Sequence, residues 1–441
     1  MKVLVVGNGA REHAIAAALK RSSDKPELHA FMSAVNPGIA RLCKHYGIGD
    51  TCNPEEVLKY AKEKQIQMAV IGPEAPLEAG IVNKLEENSI MCVGPRKAAA
   101  QLETDKSFCR NLMDKYKVDG CPKFGIFGSA KDACDYIDEV GIDIVVKPAG
   151  LTGGKGVKIM GEHFDAEGAK AYVREIFETR MGVIPKVVIE ERLIGEEFTL
   201  QAFVDGMNVV GMPMVQDHKR AYEGDVGPNT GGMGSYSDAG YVLPFLTRKD
   251  YDDGLKVMKA TVEAVRKETG VEYKGFLYGQ FMATKNGVKV IEYNSRLGDP
   301  EAMNVLAVLE TDFMDVCENM IGGMLKDNIK FLKKASVCKY MVPAGYPETP
   351  KNNVEVNVDE KKIRDLGGRV YYASVREEKG RILTSKSRAI AVLGLADTIT
   401  EAETIAEESM KHITGDLFHR KDIGTHPLIQ RRIKHMKKVR G

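Results

Sequence analysis

The sequence has almost no excess of charge of either sign. Its 63 Lys and Arg against 62 Asp and Glu leave a formal net charge of +1, so no overall field draws it to nucleic acid or to a membrane surface. It also lacks a long apolar run. The opening MKVLVVGNGAREH carries one lysine and a short apolar stretch, too short for a secretory leader, and a membrane span needs about 20 apolar residues. A cytoplasmic protein with neither nucleic-acid nor membrane partners is expected. Eight cysteines stand at 43, 52, 92, 109, 121, 134, 317 and 338, with no CxxC pair and no Cys/His cluster at zinc spacing. That argues for free thiols in a reducing compartment, not a disulfide framework or a zinc site. Internal repeats and low-complexity tracts are missing as well.

What is present is an ordinary globular composition: 441 residues, 43% hydrophobic and 28% charged. At roughly 100–200 residues per domain, two to four domains with real cores are expected. In the N-terminal third, VLVVG (3–7), MAVIGP (68–73) and IMCVGP (90–95) are short apolar runs separated by helical stretches. This is the rhythm of an open parallel sheet, which binds ligands beyond the carboxyl ends of its strands. Gly7, Asn8, Gly9, Pro73, Glu74 and Gly94 should lie along that edge. A dinucleotide fingerprint is not complete here. The sequence reads G-N-G-A-R-E, Glu12 replaces the third glycine, and the second strand ends without an acid. A glycine turn leading into a helix remains, suited to one phosphate or carboxylate, or to no ligand at all.

The middle of the chain contains KPAGLTGGKG (147–156), with four glycines and two lysines in ten positions. Such a loop can fold backbone N–H groups over phosphate oxygens, or it can be a solvated hairpin tip. It is not a Walker A loop, because Lys155 is followed by Gly156, and the kinase HRD and DFG motifs are absent. IDIVVKPAG reads as a strand that delivers Lys147 into the loop. KVVIEERLIGEEFTLQAFVDG (186–206) reads as strand, acidic connector, strand, able to offer backbone groups to a base edge and a carboxylate to ribose. GFLYGQFMATKNGVKVIEYNSR reads as a hairpin turning at 285–287, whose alternation puts Glu292, Asn294 and Arg296 on one face. A carboxylate and an amide oxygen there suit a hard divalent cation, with Gln280 on the paired strand as a further oxygen.

From about 328 the pattern is strand-rich again and then helical at TITEAETIAEESMKHI. The basic tail RRIKHMKKVRG reads as a solvated terminus. His163, His412 and His435 read as surface residues, whereas His218, inside QDHKR, either touches substrate or orients Asp217.

The order VxKP with a glycine-rich loop, then IEExxxGEE, then EYNSR resembles the ATP-grasp superfamily. GNGAREH, GPEAPLEAG, QDHKR, GPNTGGMG, GFLYGQFM, NSRLGDPE and RKDIG (420–424) narrow the resemblance to the glycinamide ribonucleotide synthetase family, from residue 1 to about 425. The resemblance implies a mixed α/β and α+β protein. Its parts would be a Rossmann-like open parallel sheet over 1–103, an ATP-grasp domain over 104–326 with a mobile lid at about 121–190, and an α+β domain over 327–441. It implies ATP-dependent ligation of glycine to 5-phosphoribosylamine through glycyl phosphate, in purine biosynthesis; another ATP-grasp ligase or carboxylase of that pathway is the alternative. The resemblance places Lys106 and Lys147 on ATP phosphates, Gly153, Gly154, Lys155 and Gly156 closing over them, Glu190 and the Leu193 backbone on adenine, and Glu197 on ribose. Mg²⁺ or Mn²⁺ would be held by Glu292 and Asn294. Gln280 stands where other ATP-grasp enzymes often carry an acid. Gly9, Glu74, Asp217, Lys219, Asn229, Gly231, Gly232, Arg296 and Asp299 would line the pocket for glycine and phosphoribosylamine, with Lys147, Arg296 and Asp217 catalytic. A single activity and a monomer or weak homo-oligomer are expected.

Overall fold

In the computed structural model, which describes residues 1–141, 143–153 and 156–441, the apolar run near the N-terminus forms the strand Lys2–Val6. It is the central strand of a five-stranded parallel sheet. The order is His45–Ile48, Glu27–Met32, Lys2–Val6, Met68–Ile71, Met91–Val93. The chain winds outward one way from Lys2–Val6 and then crosses to the other side. The switch point therefore lies between the carboxyl ends of Lys2–Val6 and Met68–Ile71, where Gly7–Gly9 and Gly72–Glu74 emerge.

Two antiparallel four-stranded sheets form the middle of the chain. One has the order Val209–Gly211, Gly195–Asp205, Lys274–Thr284, Gly287–Asn294. The other, Phe124–Phe127, Val187–Glu191, Ile144–Pro148, Lys158–Ile159, is backed by the helices Ala130–Val140 and Ala166–Thr179. That second sheet has its own small core around Ile137, Val146, Val173 and Ile189. The larger core runs continuously from Val3 and Leu19 through Phe198 and Phe281 to Leu393. A unit whose apolar surface is closed off from the rest can shift as a body, because no shared core is broken when it does.

A fourth sheet, in the C-terminal part, does not draw only on residues after 327. Ala335–Pro343 pairs on one side with Ile390–Ala396 and on the other with Gly234–Ser237, which in turn pairs with Gln216–Asp217. Two strands of the QDHKR–GGMG region thus complete a sheet whose remaining strands follow 334. Hydrophobic alternation shows that each of these is a strand, but not which sheet it joins, since partner choice depends on contacts far apart in sequence.

The basic tail is not a solvated terminus. It forms the helix His426–Arg440, started by Thr425 with proline in the first turn, and buries Leu428, Ile429 and Met436. Arg432 and His435 pair with Glu196, and Arg440 pairs with Asp250 at 2.5 Å. These cations have partners in the body, which a reading of local charge density could not show. All eight cysteines are unpaired, and among the described residues no helix is long and apolar enough to cross a membrane.

His13 ties the parallel sheet's first helix to the C-terminal sheet. It is buried, its Nδ1 accepts the Tyr372 N–H at 3.0 Å, and its ring lies against Tyr371 and Tyr372. Burial pushes its pKa down to about 4 from 6.5. The folded value lies below the unfolded one, so this contribution is whole above pH 6.5 and is lost as pH falls toward 4. A shift of that size corresponds to about 3 kcal/mol. Denaturant unfolding of His13→Gln, whose amide oxygen can still accept the Tyr372 N–H, should show a loss between pH 6.5 and 4 smaller than wild type by about that amount. Parallel pH curves would show that His13 stays neutral in the unfolded chain or charged in the folded one, against this account.

Candidate active site

The two antiparallel sheets of the middle segment enclose a cleft of about 1070 Å³. Its floor is set by strand register. Glu190 sits opposite Val145, and Lys147 lies two residues further along the same strand, hence on the same face. The Lys147 Nζ therefore meets the Glu190 carboxylate at 2.7 Å. Asp105 caps the helix Lys106–Lys115 by accepting the N–H groups of Ser107 and Phe108, which starts that helix at Lys106. From the helix, Arg110 forks onto Glu190 at 2.7 and 3.0 Å and also donates to the carbonyls of Val290 and Ile291. Burial alone would raise the Glu190 carboxyl, but Arg110 and Lys147 outweigh it and hold it at about 2. Glu190 is thus the shared counterion of two buried cations at the place where the family resemblance implies a contact to adenine. Lys106 donates to the Gly150 carbonyl at 3.0 Å, and burial lowers its pKa.

Across the cleft, Lys219 stands 3.9 Å from both Glu197 and Glu292. Burial would raise the Glu292 carboxyl, yet Lys219, Lys106 and Lys147 outweigh it and lower the pKa. Asn294 ends the same strand, and its Oδ1 accepts from Arg296 at 3.1 Å. The Gln280 side chain is committed elsewhere. Its oxygen accepts from Thr199 at 3.1 Å and from the Tyr278 hydroxyl, and its amide nitrogen donates to Glu197 at 3.0 Å. It does not line the cleft and orients Glu197 instead of offering an oxygen to a metal.

At the switch point of the parallel sheet, Arg296 lies between Glu103 at 3.0 Å and Glu74 at 3.3 Å. Burial would lower its pKa, but those two carboxylates outweigh it and raise the pKa. Burial lifts the Glu103 carboxyl to about 7, partly countered by Arg296. The nearby glycine turn does not wait for an anion. Glu12 turns its carboxylate back onto the Gly9 N–H at 2.6 Å and pairs with Arg11 at 2.5 Å. The residue that breaks the dinucleotide fingerprint thus supplies the anion itself.

Asp217 is half-buried beside Glu301; desolvation and that second carboxylate raise its pKa well above the usual range. Its Oδ1 has no hydrogen-bond partner among the described residues. His218 does not orient it. The imidazole faces Asp225 at 3.4 Å, and burial lowers its pKa to about 4. Asn229 and Gly231 line the cleft, whereas Gly232 packs behind, where a Cβ would meet Pro300 and Asp217. Asp299 pairs with Arg388 at 3.1 Å. Lys106, Lys147, Glu190, Leu193, Glu197, Asp217, Lys219, Glu292, Asn294 and Arg296 all line this one cleft, as do Glu74, Gly153 and Asp299. Gly9 and Gly156 do not line it, and Gly154 and Lys155 lie outside the described residues. Sequence reasoning missed Arg110, Glu103, Glu301 and Arg388. Arg110 sits among Cys109, Leu112 and Met113 on the buried face of its helix, and an arginine on an apolar stripe was the signal available.

The loop after Lys147 allows a sharp comparison. A Cβ on Gly150 would overlap the Gly182 carbonyl oxygen, whereas one on Gly153 meets open space and only the φ of +59° is unfavourable. Gly150→Ala should lower kcat/KM for ATP by more than tenfold. Gly153→Ala should cost about fivefold, the equivalent of about 1 kcal/mol for a left-handed alanine. Steady-state ATP kinetics check the order, and equal effects would show that loop packing at 182 does not matter.

Two antiparallel sheets closing on a cleft, with Lys106 and Lys147 beside a glycine loop and an acid–amide pair on the hairpin of the other sheet, define an ATP-grasp protein. Solved structures agree on the fold. The biotin carboxylase domain of Hydrogenobacter thermophilus 2-oxoglutarate carboxylase superposes with a TM-score of 0.71 at 18% identity, covering 99% of this chain and 93% of that one. The chain belongs to the phosphoribosylglycinamide synthetase family, matching its N domain over 1–103, its ATP-grasp (A) domain over 104–302 and its C domain over 336–426. It is 53% identical to the phosphoribosylamine–glycine ligase of Methanosarcina barkeri, with 100% of both chains covered. It is also 53% identical to the enzyme of that name from Methanobrevibacter smithii, again over 100% of both. The crystal structure of the Thermotoga maritima ligase of the same name has a TM-score of 0.81 at 28% identity, covering 96% of this chain and 100% of that one.

Proposed function

We propose that the protein is an ATP-dependent ligase that joins glycine to 5-phosphoribosylamine, giving glycinamide ribonucleotide, ADP and phosphate through glycyl phosphate. The observation that carries this reading is the meeting of two chemistries in one cleft. Lys106, Lys147 and Gly153 of the glycine loop line it together with Asp217 and with Arg296, which Glu74 and Glu103 hold.

Glycine's carboxylate is a poor acyl donor, and phosphorylation turns one of its oxygens into part of a leaving group. Such a transfer needs positioning and charge neutralisation more than covalent help from the protein. Lys106 and Lys147 take the phosphate charge. Lys147 reaches them already held by Glu190, so little reorganisation is needed. Leu193, in the connector between the two strands, and Glu197 take the adenosine. The partnerless Oδ1 of Asp217 receives the glycine ammonium, whose arrival favours the ionised carboxylate that burial and Glu301 otherwise disfavour. Arg296, fixed by Glu74 and Glu103, faces the sugar phosphate, and Lys219, Asn229 and Asp299 line the pocket shared by glycine and phosphoribosylamine. The segment over about 121–190, with its separate core, closes over ATP and keeps water from the acyl phosphate.

The donor set also fits magnesium or manganese. Glu292 and Asn294 offer one carboxylate and one amide oxygen, and no cage of three or more His, Cys, Asp or Glu occurs among the described residues. That suits a hard ion shared with substrate phosphates. When bound, the ion would neutralise charge on the phosphates.

Oxygen labelling tests the route. Glycine carrying heavy oxygen in its carboxylate should transfer one labelled atom per turnover to inorganic phosphate and none to ADP. Unlabelled phosphate in a reaction that still makes the amide would overturn glycyl phosphate. ADP release independent of glycine or of phosphoribosylamine would overturn the ligase reading as a whole.

A further inference from the structure

The helix His426–Arg440 begins where the match to the family's C domain stops, at residue 426. It nevertheless reaches the cleft, where Arg432 and His435 contribute to the lining. Arg432 spans two walls. One of its nitrogens pairs with Glu196 on the strand Gly195–Asp205, next to Glu197, and another pairs with Asp225 at 3.0 Å. Asp225 lies in the turn joining the strands Arg220–Tyr222 and Val226–Asn229, the hairpin that follows Lys219 and ends in Asn229. His435 holds the second Glu196 oxygen at 2.6 Å, Arg431 of the same helix shares the Asp225 oxygen with Arg432 at 2.5 Å, and Arg420 holds the other at 2.9 Å, so among the described residues Arg432 alone joins Asp225 to Glu196. Both carboxylates are largely withdrawn from water, so their pairs with Arg432 are far less screened than surface pairs.

We infer that the C-terminal helix is a strut, and that Arg432 is a positioning residue that fixes the hairpin bearing Lys219 and Asn229 at a set distance from the strand bearing Glu197. A planar guanidinium forks to two carboxylates with N–H groups in fixed directions, whereas an ammonium that bridges two carboxylates does so as a point charge with a shorter reach. The hairpin is a two-stranded ribbon with a register shift between Arg220 and Tyr222. Ribbons of that size hold their shape poorly alone; the Thr230 N–H on the Lys219 carbonyl and the His218 N–H on that of Gly234 tie its base to the neighbouring sheet, and the clamp on Asp225 sets the tip and with it the tilt of the ribbon toward the cleft. This inference rests on the proposal that these residues face glycine and phosphoribosylamine.

The test uses the full chain and measures separate KM values for ATP, glycine and phosphoribosylamine, with thermal unfolding alongside. Arg432→Met should raise KM for glycine or phosphoribosylamine at least tenfold and leave KM for ATP within about twofold. Arg432→Lys should recover only part of that loss. Arg440→Ala, which removes the ion pair to Asp250 at the far end of the same helix, should leave all three KM values unchanged. If Arg432→Met does not fold, the Arg432→Lys and Arg440→Ala pair decides. Equal behaviour of those two, or a loss of kcat with no change in any KM, would reduce Arg432 to a structural contact and overturn the inference. Wild-type protein is the separate control: failure to release ADP in response to glycine and phosphoribosylamine would refute the ligase reading, not the strut.

Discussion

Glu292→Gln should lower kcat by about 10²–10³-fold, the range seen when one preorganised electrostatic group is removed from a transition-state site, while leaving the unfolding transition nearly unmoved. Glu292 lies on the hairpin strand Gly287–Asn294 and faces Lys219, Lys106 and Lys147 across the cleft. Its closest cation, Lys219, is 3.9 Å away and keeps Glu197 at the same distance. Loss of the charge therefore strands no buried partner, and glutamine preserves the shape. What is lost is the negative charge that would hold a divalent cation against the phosphates. Turnover at saturating magnesium and again at saturating manganese, with circular dichroism as the folding control, checks this. A variant that keeps a third of wild-type kcat would show that Glu292 is no principal ligand.

How much of this site could be read beforehand depends on the range of the interaction. Lys147, Glu292 and Asn294 were legible because each is placed by local alternation within a strand, and the motif around each is short. The strands of the parallel sheet were legible for the same reason. Arg110 was not, because its partner Glu190 is 80 residues away and only the packing of the helix Lys106–Lys115 against the strand Val187–Glu191 brings the two together. Gln280 looked like an oxygen donor from its place opposite Glu292. The hydroxyls of Tyr278, two residues away on the same strand, and of Thr199, opposite it on the neighbouring strand, decide otherwise; alternation offers the first, and only the pairing with the strand Gly195–Asp205 brings the second. The basic tail was misread because clustered Lys and Arg usually mean solvent. Its acidic partners Glu196 and Asp225 lie more than 200 residues earlier in the chain. Glu12, by contrast, announced itself. A carboxylate at the third glycine of the fingerprint is in a position to cap the same N–H groups, and it does.

Glu190→Gln should be the most destabilising single change near the cleft, costing about 3–5 kcal/mol, as expected when one partner of a buried ion pair is removed. The carboxylate is 5% exposed and neutralises both Arg110, 3% exposed, and Lys147, 4% exposed. Glutamine can still accept a hydrogen bond from each, so packing survives, but two buried cations then share no negative charge. Arg110 remains bonded to the Val290 and Ile291 carbonyls and Lys147 to that of Ile291, which limits the loss without removing it. The measurement is the denaturant midpoint and slope of the variant against wild type. A second variant separates charge balance from ligand contact. Adding Arg110→Met to Glu190→Gln removes one of the stranded cations, so the pair of changes should be less destabilising than the sum of the two alone. If Glu190 served chiefly as a contact for adenine, Glu190→Gln would instead raise KM for ATP with no change in midpoint, and the double variant would show no coupling. That pattern would return Glu190 to the role its motif suggested and leave the Lys147 ammonium without the counterion that the structure gives it.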